Sequence, residues 1–304
     1  MHEVPEVSIL IVTYQSAELI DACLDSIKVH AGLPTETILV DNGSTDGTFE
    51  RLQERQDVRV LAMGSNFGFT AAVNTAAARA SAPYLLLFNP DAELLLDALP
   101  RLHRHLEMHH RVAAVGPRLV YPDGTSQDSA FAYPSLLMTW LEYFPRPGRL
   151  IHTRWNGRIS APDDRAVTID YPLGACILVR RAAWEDVGGL DEGFFMYCEE
   201  IDWCMRAKRR GWTIEHVPTA TVVHHGGASA RQNPDSLLHL YASRRRLHRK
   251  HRGPAFRFLA ALITRLGLVR ERHRLRQYVQ SNALDPYAQR RIEAIDRVLH
   301  GALA

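Results

Sequence analysis

The sequence predicts an α/β fold, with a mostly parallel central sheet flanked by helices and a helical C-terminal extension. Three observations predict it. Apolar, β-prone runs alternate with segments of helical periodicity through the first third of the chain. Polar clusters fall where those runs end, the edge at which open parallel sheets bind ligands. After about Pro234 the strand signal stops and the chain becomes basic and helical.

The elements follow in order. Val7–Val12 is an apolar strand. Ser16 offers an N-cap, and Leu19, Ile20, Cys23, Leu24 and Ile27 recur at helical spacing. Thr37–Val40 is a second strand, ending in Asp41-Asn-Gly-Ser-Thr-Asp-Gly, a dense turn signal before a helix from about Thr45. Val58–Met63 is a third strand, Ala71–Ala80 an alanine-rich helix and Tyr84–Phe88 a fourth strand. Leu95–His109 reads as a helix and Val112–Val115 as a strand. From about Gly116 to Asp170 the chain is rich in Pro, Gly and aromatics, the signature of functional loops. Thr221–Val223 is a late strand. Three segments are expected: 1–115, 116–234 and the basic extension 235–304.

The chain has 304 residues, 46% of them hydrophobic, enough for a large core. A formal charge of +2 gives no reason to expect a nucleic-acid partner. Cys23, Cys176, Cys198 and Cys204 form no Cys-x-x-Cys pair, so reduced, buried thiols are expected rather than a zinc knuckle. The first residues carry no secretion signal, and no apolar run approaches the ~20 residues that span a bilayer. A cytoplasmic protein is the expectation.

Four clusters carry candidate chemistry. Asp41 ends a strand, where its carboxylate can accept the imide N–H of a pyrimidine base, or merely shape an Asx-turn. Asn89-Pro-Asp91 delivers a carboxylate where Mg²⁺ or Mn²⁺ could bridge it to a diphosphate, although the same residues favour turns in any protein. Glu199, Glu200 and Asp202 follow the aromatic run Phe194–Tyr197. Partial burial there would raise a carboxylate pKa and make a general base, while an acidic first helical turn is the plainer alternative. His224, at the end of a strand, is a candidate metal ligand or a satisfied core histidine, and the Gly226-Gly227 after it suggests close backbone approach to a ligand.

Taken together, these stretches resemble family 2 glycosyltransferases of the GT-A fold, and among them the bacterial rhamnosyltransferase-like branch. The matching segments are Val7–Tyr14, Val40–Gly47, Asn66–Asn74, Phe88–Asp91, Gly174–Arg180, Val187–Glu192, Phe194–Trp203 and His224–Ser229, in family order over roughly three quarters of the chain. The resemblance implies a Rossmann-like sheet and an inverting transfer from a nucleotide-sugar donor, with dTDP-L-rhamnose the first choice and UDP-hexoses next. It implies a saccharide or lipid-linked acceptor in bacterial cell-surface polysaccharide synthesis. Thr13, Tyr14, Asp41, Asn42 and Asp46 would hold the nucleoside. Asn66 and Gly68 would lie near the ribose and diphosphate, beside Asn89. Asp91 and His224 would hold Mn²⁺ or Mg²⁺, with Asn89 standing where the family's acidic triplet usually begins with Asp. Glu200 would be the base, supported by Glu199 and Asp202, with Trp203 and Gly174 on the acceptor side.

In the extension, Phe256, Leu259, Ile263 and Leu266 form an apolar stripe among Arg257, Arg265 and Arg270. Two readings stay open: peripheral contact with the inner face of the plasma membrane, or a helix packed on the catalytic domain. A silent scaffold and a nucleotidyltransferase are the competing functions. The latter wants basic residues over a triphosphate near the first strand, where the chain has Thr13-Tyr14-Gln15-Ser16.

Overall fold

The structure, a computed structural model, describes residues 4–144, 153–226, 235–281 and 285–302. It has two compact units. The first is drawn from Met1–Ala132, Ile159–Phe195 and Glu199–Ala228, the second from Tyr133–Arg158, Met196–Cys198 and Ser229–Ala304.

The first unit is built on β1 (Val7–Thr13), which pairs in parallel with β2 (Thr35–Asp41) on one side and with β4 (Tyr84–Phe88) on the other. Every residue of β1 and β4 is buried. Helices cover both faces, so these strands read as unbroken apolar runs rather than alternating ones. β3 (Arg59–Ala62) extends the sheet beyond β2 in parallel. The connecting helices are α1 (Ile20–His30), α2 (Thr48–Gln53) and α3 (Phe69–Ala77). In α1, Ile20, Cys23, Leu24 and Ile27 turn inward, the i, i+3, i+4, i+7 stripe that buries one helix face.

The far half departs from a purely parallel sheet. β5 (Ala92–Leu94) and α4 (Ala98–Met108) lead to β6 (Val112–Val120). The short strands β7 (Ser126–Gln127), β8 (Ala130–Phe131), β9 (Val167–Thr168) and β10 (Tyr171–Pro172) precede β11 (Cys176–Arg180), which inserts antiparallel between β4 and β6. β12 (Thr213–His224) runs parallel to β6 and antiparallel to β5. The order across the sheet is β3-β2-β1-β4-β11-β6-β12-β5. Between β11 and β12 lie α6 (Arg181–Val187) and α7 (Glu199–Arg209).

Helix starts differ from the pattern-based expectation: α3 begins at Phe69 rather than Ala71, and α4 at Ala98 rather than Leu95. Ser16 does not cap α1 with its side chain. Its carbonyl accepts from the N–H groups of Leu19 and Ile20, and its hydroxyl donates to the Tyr14 carbonyl. The helix expected from Thr45 begins at Thr48, because Gly47 adopts φ 89°, a left-handed conformation no α-helix can include.

The second unit contains α5 (Leu136–Tyr143), α8 (Ser236–His251), α9 (Pro254–Ser281) and α10 (Pro286–Arg297). Tyr143, Leu237, Tyr241, Leu268, Ala294, Ile295 and Val298 form its core. The Tyr143 and Tyr241 hydroxyls are hydrogen-bonded, and burial pushes both phenols above their ordinary pKa. Gly267 lies flat against the Tyr143 ring, where a Cβ would overlap the ring carbons. Gly267→Ala should therefore destabilise this unit by about 1–3 kcal/mol, read as a lower midpoint in chemical denaturation.

Candidate active site

The carboxyl ends of β1, β2 and β4 meet at one edge of the sheet. Thr13 and Asp41 are register partners on adjacent strands, and the Thr13 hydroxyl donates to Asp41 Oδ1 at 3.0 Å. Ser44 Oγ donates to the same oxygen at 2.6 Å. The N–H groups of Gly43 and Ser44 donate to Oδ2 at 3.1 and 3.0 Å. A carboxylate offers about four lone-pair positions, and all are used. In this conformation the buried Asp41 carboxylate builds the turn that carries its neighbours. Asn42 links that turn to the next loop: its Nδ2 donates to Asn66 Oδ1 at 2.9 Å, and its Oδ1 accepts from Phe67 N–H at 3.0 Å. Asn66 Oδ1 also accepts from Gly68 N–H. Gly68 has φ 93°, and a Cβ there would lie 2.5 Å from the Phe195 carbonyl oxygen, so only glycine fits.

Asp46 is held by Thr48, through its hydroxyl and N–H, and by the Ala17 N–H. Burial alone would raise its pKa, but these hydrogen bonds outweigh it and hold the carboxyl below its ordinary value. Tyr14 is exposed at this rim.

Asn89 and Asp91 lie just beyond β4. Asn89 N–H donates to Ala175 O at 2.9 Å, which ties the loop to the start of β11. Asp91 is buried, with Oδ1 at 3.4 Å from His224 Nε2. The other ring nitrogen, Nδ1, lies 2.9 Å from Gln127 Oε1, an oxygen that can only accept. Nδ1 therefore carries a proton, and Nε2 faces the Asp91 carboxylate. A ring nitrogen and a carboxylate oxygen set toward each other can share a proton or a cation. The pair thus fits a divalent ion with two protein ligands whose shell is completed by phosphate oxygens and water. Among the described residues no group of three or more His, Cys, Asp or Glu is arranged for a metal, so such an ion would depend on its substrate for the remaining ligands. The residues from Gly227 to Ser229 in the same motif lie outside the described residues.

At the start of α7 the acids part company. Asp202 is fully buried and accepts from Arg206 Nε at 2.8 Å, one helical turn on. Arg206 also donates to the carbonyls of Val187, Gly188 and Gly189, and the Trp203 indole N–H donates to Gly188 O at 3.0 Å. Trp203 is buried beside Trp184. Asp202 and Trp203 thus stand behind the site, fixing the glycine loop, rather than at a surface an acceptor reaches. Glu199 and Glu200 have no such partners: the Oε2 atom of each is out of solvent with no hydrogen-bond partner. Burial, then the neighbouring Glu200 charge, pushes the Glu199 carboxyl well above its ordinary range. Burial pushes Glu200 up to about 7. A Cβ on Gly174 would come within 3.9 Å of Glu200 Cδ, so the missing side chain leaves room beside the carboxyl. Tyr197 and Cys198, immediately before α7, both have positive φ, 67° and 64°. Such conformations cost roughly 1–3 kcal/mol each and cluster at functional sites.

Three residues escaped the sequence reading. Gln127, which fixes the His224 ring, lies in a stretch without periodicity. Asn74, whose amide brackets Leu190 by accepting from its N–H and donating to its carbonyl, was visible only as the end of a matching segment. Arg206 had a signal, its i, i+4 spacing from Asp202.

A mostly parallel sheet with one reversed strand between β4 and β6 and polar loops at its carboxyl edge is the GT-A architecture. The chain belongs to glycosyl transferase family 2, whose family model matches residues 8–185. Among its relatives is the N-acetylglucosaminyl-diphospho-decaprenol L-rhamnosyltransferase of Mycobacterium tuberculosis, 32% identical over 247 residues, spanning 76% of this chain and 79% of the relative. The rhamnosyltransferase-like branch is thereby supported. Solved structures share the fold. The mannosyltransferase PcManGT from Pyrobaculum calidifontis, in complex with GDP-Man and Mn²⁺, aligns over 97% of this chain and 87% of its own at TM-score 0.56 and 17% identity. GalNAc-T7 with UDP, GalNAc and Mn²⁺ aligns over 73% of this chain and 44% of its own at TM-score 0.55 and 14% identity.

The Asp91–His224 geometry leads to a test. Mn²⁺ should strengthen nucleoside diphosphate binding to the parent protein, and Asp91→Ala should abolish that strengthening. Gln127→Ala, which frees the His224 ring, should weaken it by about 10-fold or more. Isothermal titration with and without Mn²⁺ measures both.

Proposed function

We propose that the chain is an inverting, metal-dependent glycosyltransferase. It transfers L-rhamnose from dTDP-L-rhamnose to a hydroxyl of a lipid-linked saccharide, on the cytoplasmic side of a bacterial envelope pathway. The observation that carries the reading is Glu200, a carboxyl with an unpartnered oxygen beside the open face of Gly174. The rhamnosyl donor and lipid-linked acceptor are supported by the name of the mycobacterial relative.

The residues divide the work. The turn shaped by Asp41 and the loop carrying Asn66 and Gly68 present backbone groups to the donor. Asp91 and His224 would hold Mn²⁺ or Mg²⁺. That ion supplies Lewis-acid neutralisation of the charge that builds on the departing diphosphate. Glu200 takes the proton from the acceptor hydroxyl as it attacks the anomeric carbon from the face opposite the leaving group, which inverts the centre. Burial, then the Glu200 charge, pushes the Glu199 carboxyl well above its ordinary range, so the two acids titrate as a pair, and a proton held on Glu199 would let Glu200 ionise without a like charge beside it.

The direct experiment offers dTDP-rhamnose, UDP-glucose and UDP-galactose, with Mn²⁺, to the protein and a lipid-linked N-acetylglucosamine. Rhamnosyl transfer supports the reading. Transfer from a UDP-hexose alone would move the assignment to a hexosyltransferase, and no binding of any donor would favour a retired scaffold.

Glu200→Gln should lower turnover by at least about 10²-fold while donor binding is kept. The base works only when ionised, so kcat should fall as pH drops through about 7 in the parent. Glu199→Gln removes the neighbouring acid but leaves the proposed base in place, so it should keep both activity and an acidic limb. The pH–rate profiles of the three proteins decide this.

A further inference from the structure

We infer that one face of α9 is a docking surface for an anionic phospholipid bilayer. A helix that is apolar all round is ordinarily buried, yet the first half of α9 is apolar on two faces and only one is covered. Ala260 and Leu268 are buried, and Ile263 packs on the core of the second unit. On the other side Phe258, Leu259, Leu262, Leu266 and Val269 are 69, 42, 42, 51 and 41% exposed. At 3.6 residues per turn these five side chains fall in a stripe about 100° wide and about 16 Å long. The stripe is not the one the sequence suggested. Ile263 faces the core, and Phe256 is half-buried under the Arg252 guanidinium, 4.9 Å from its ring centre.

Charge identifies the occupant. From Gly253 to Arg270 the chain has no Asp or Glu. Arg257 and Arg265 are exposed and make no ion pair among the described residues. Arg265 borders the stripe on one side and Arg270 on the other. Arg270 donates to the Tyr143 carbonyl and lies over the Phe144 ring, and Phe144 in turn stacks on the exposed Trp140. The border thus continues from arginine to indole, the residue types that settle at a lipid headgroup boundary. A second copy is the poorer occupant. A two-fold contact places the same patch on both partners, and arginine borders would then oppose each other with no carboxylate to relieve them. Among the described residues no helix is long and apolar enough to cross a membrane, so α9 would lie in the plane of the interface.

The inference stands apart from the proposed reaction, since vesicle binding needs no turnover. The test is sedimentation of the full chain with phosphatidylcholine vesicles and with vesicles containing phosphatidylglycerol, at low and high salt. Binding should require the anionic lipid, weaken with salt, and fall at least tenfold in L262E/L266E, whose substitutions are on the surface and should leave the circular dichroism unchanged. R257E/R265E should lose the preference for anionic lipid. Absence of vesicle binding by the parent, or equal binding by L262E/L266E, would overturn the inference. So would a dimer in sedimentation velocity that L262E/L266E abolishes without any vesicle binding.

Discussion

Parallel pairing of β1 with both β2 and β4 is the constraint from which the rest of the first unit follows. Parallel strands joined by crossover helices all end on one edge, so Thr13, Asp41 and Asn89 arrive together with no further device. The antiparallel β11 uses the same edge in reverse. It starts where β4 stops, with Cys176 opposite Phe88. Its first residues therefore enter at the ligand edge, and Ala175 accepts the Asn89 N–H while Gly174 lies against Glu200. One reversed strand thus links the Asp91 loop to the acidic helix.

Within that frame, the carboxylates are told apart by what neutralises them. Asp41 is saturated by short hydrogen bonds from its own turn. Asp202 has the Arg206 guanidinium, and losing that partner would leave a fully buried charge. Asp91 faces the His224 ring nitrogen Nε2 at 3.4 Å, a pairing that a bound cation could share. Glu199 and Glu200 each keep one buried oxygen, Oε2, with no hydrogen-bond partner, and burial favours the protonated form of both. The first two arrangements hold structure, and the last two leave chemistry unfinished. This separates residues that three acids in one helical turn made look alike.

Much of this was legible in the sequence, for identifiable reasons. β1, β2 and β4 are buried on both faces, so their apolar runs were unbroken and their polar ends were conspicuous. Asp41, Asp91 and His224 stood out at or just past the ends of apolar strand runs, and Glu200 just after the aromatic run Phe194–Tyr197. What escaped was set by tertiary pairing. β11 reads as another apolar strand, and nothing local reveals that it runs antiparallel. The helix after Asp41 was started too early because composition does not reveal that Gly47 takes a left-handed φ. Trp203 looked like an acceptor platform, and only the three-dimensional course of the Val187–Gly189 loop shows its indole N–H committed to Gly188.

The second unit makes the same point through arginine. By composition its arginines form one undivided basic tract. In the fold they separate at about Arg270. Beyond that point Arg272 and Arg276 meet Asp296, and Arg291 meets Glu271, so the charges knit α9 to α10. Before it, Arg257 and Arg265 are exposed with no ion pair among the described residues, and Arg265 borders the exposed leucines instead. A solvated surface helix has no reason to keep large apolar side chains on its outer face, and a packing helix has no reason to leave its arginines unpaired. The first half of α9 does both, and the docking surface inferred for it, an apolar layer bordered by anionic groups, would satisfy the two features together.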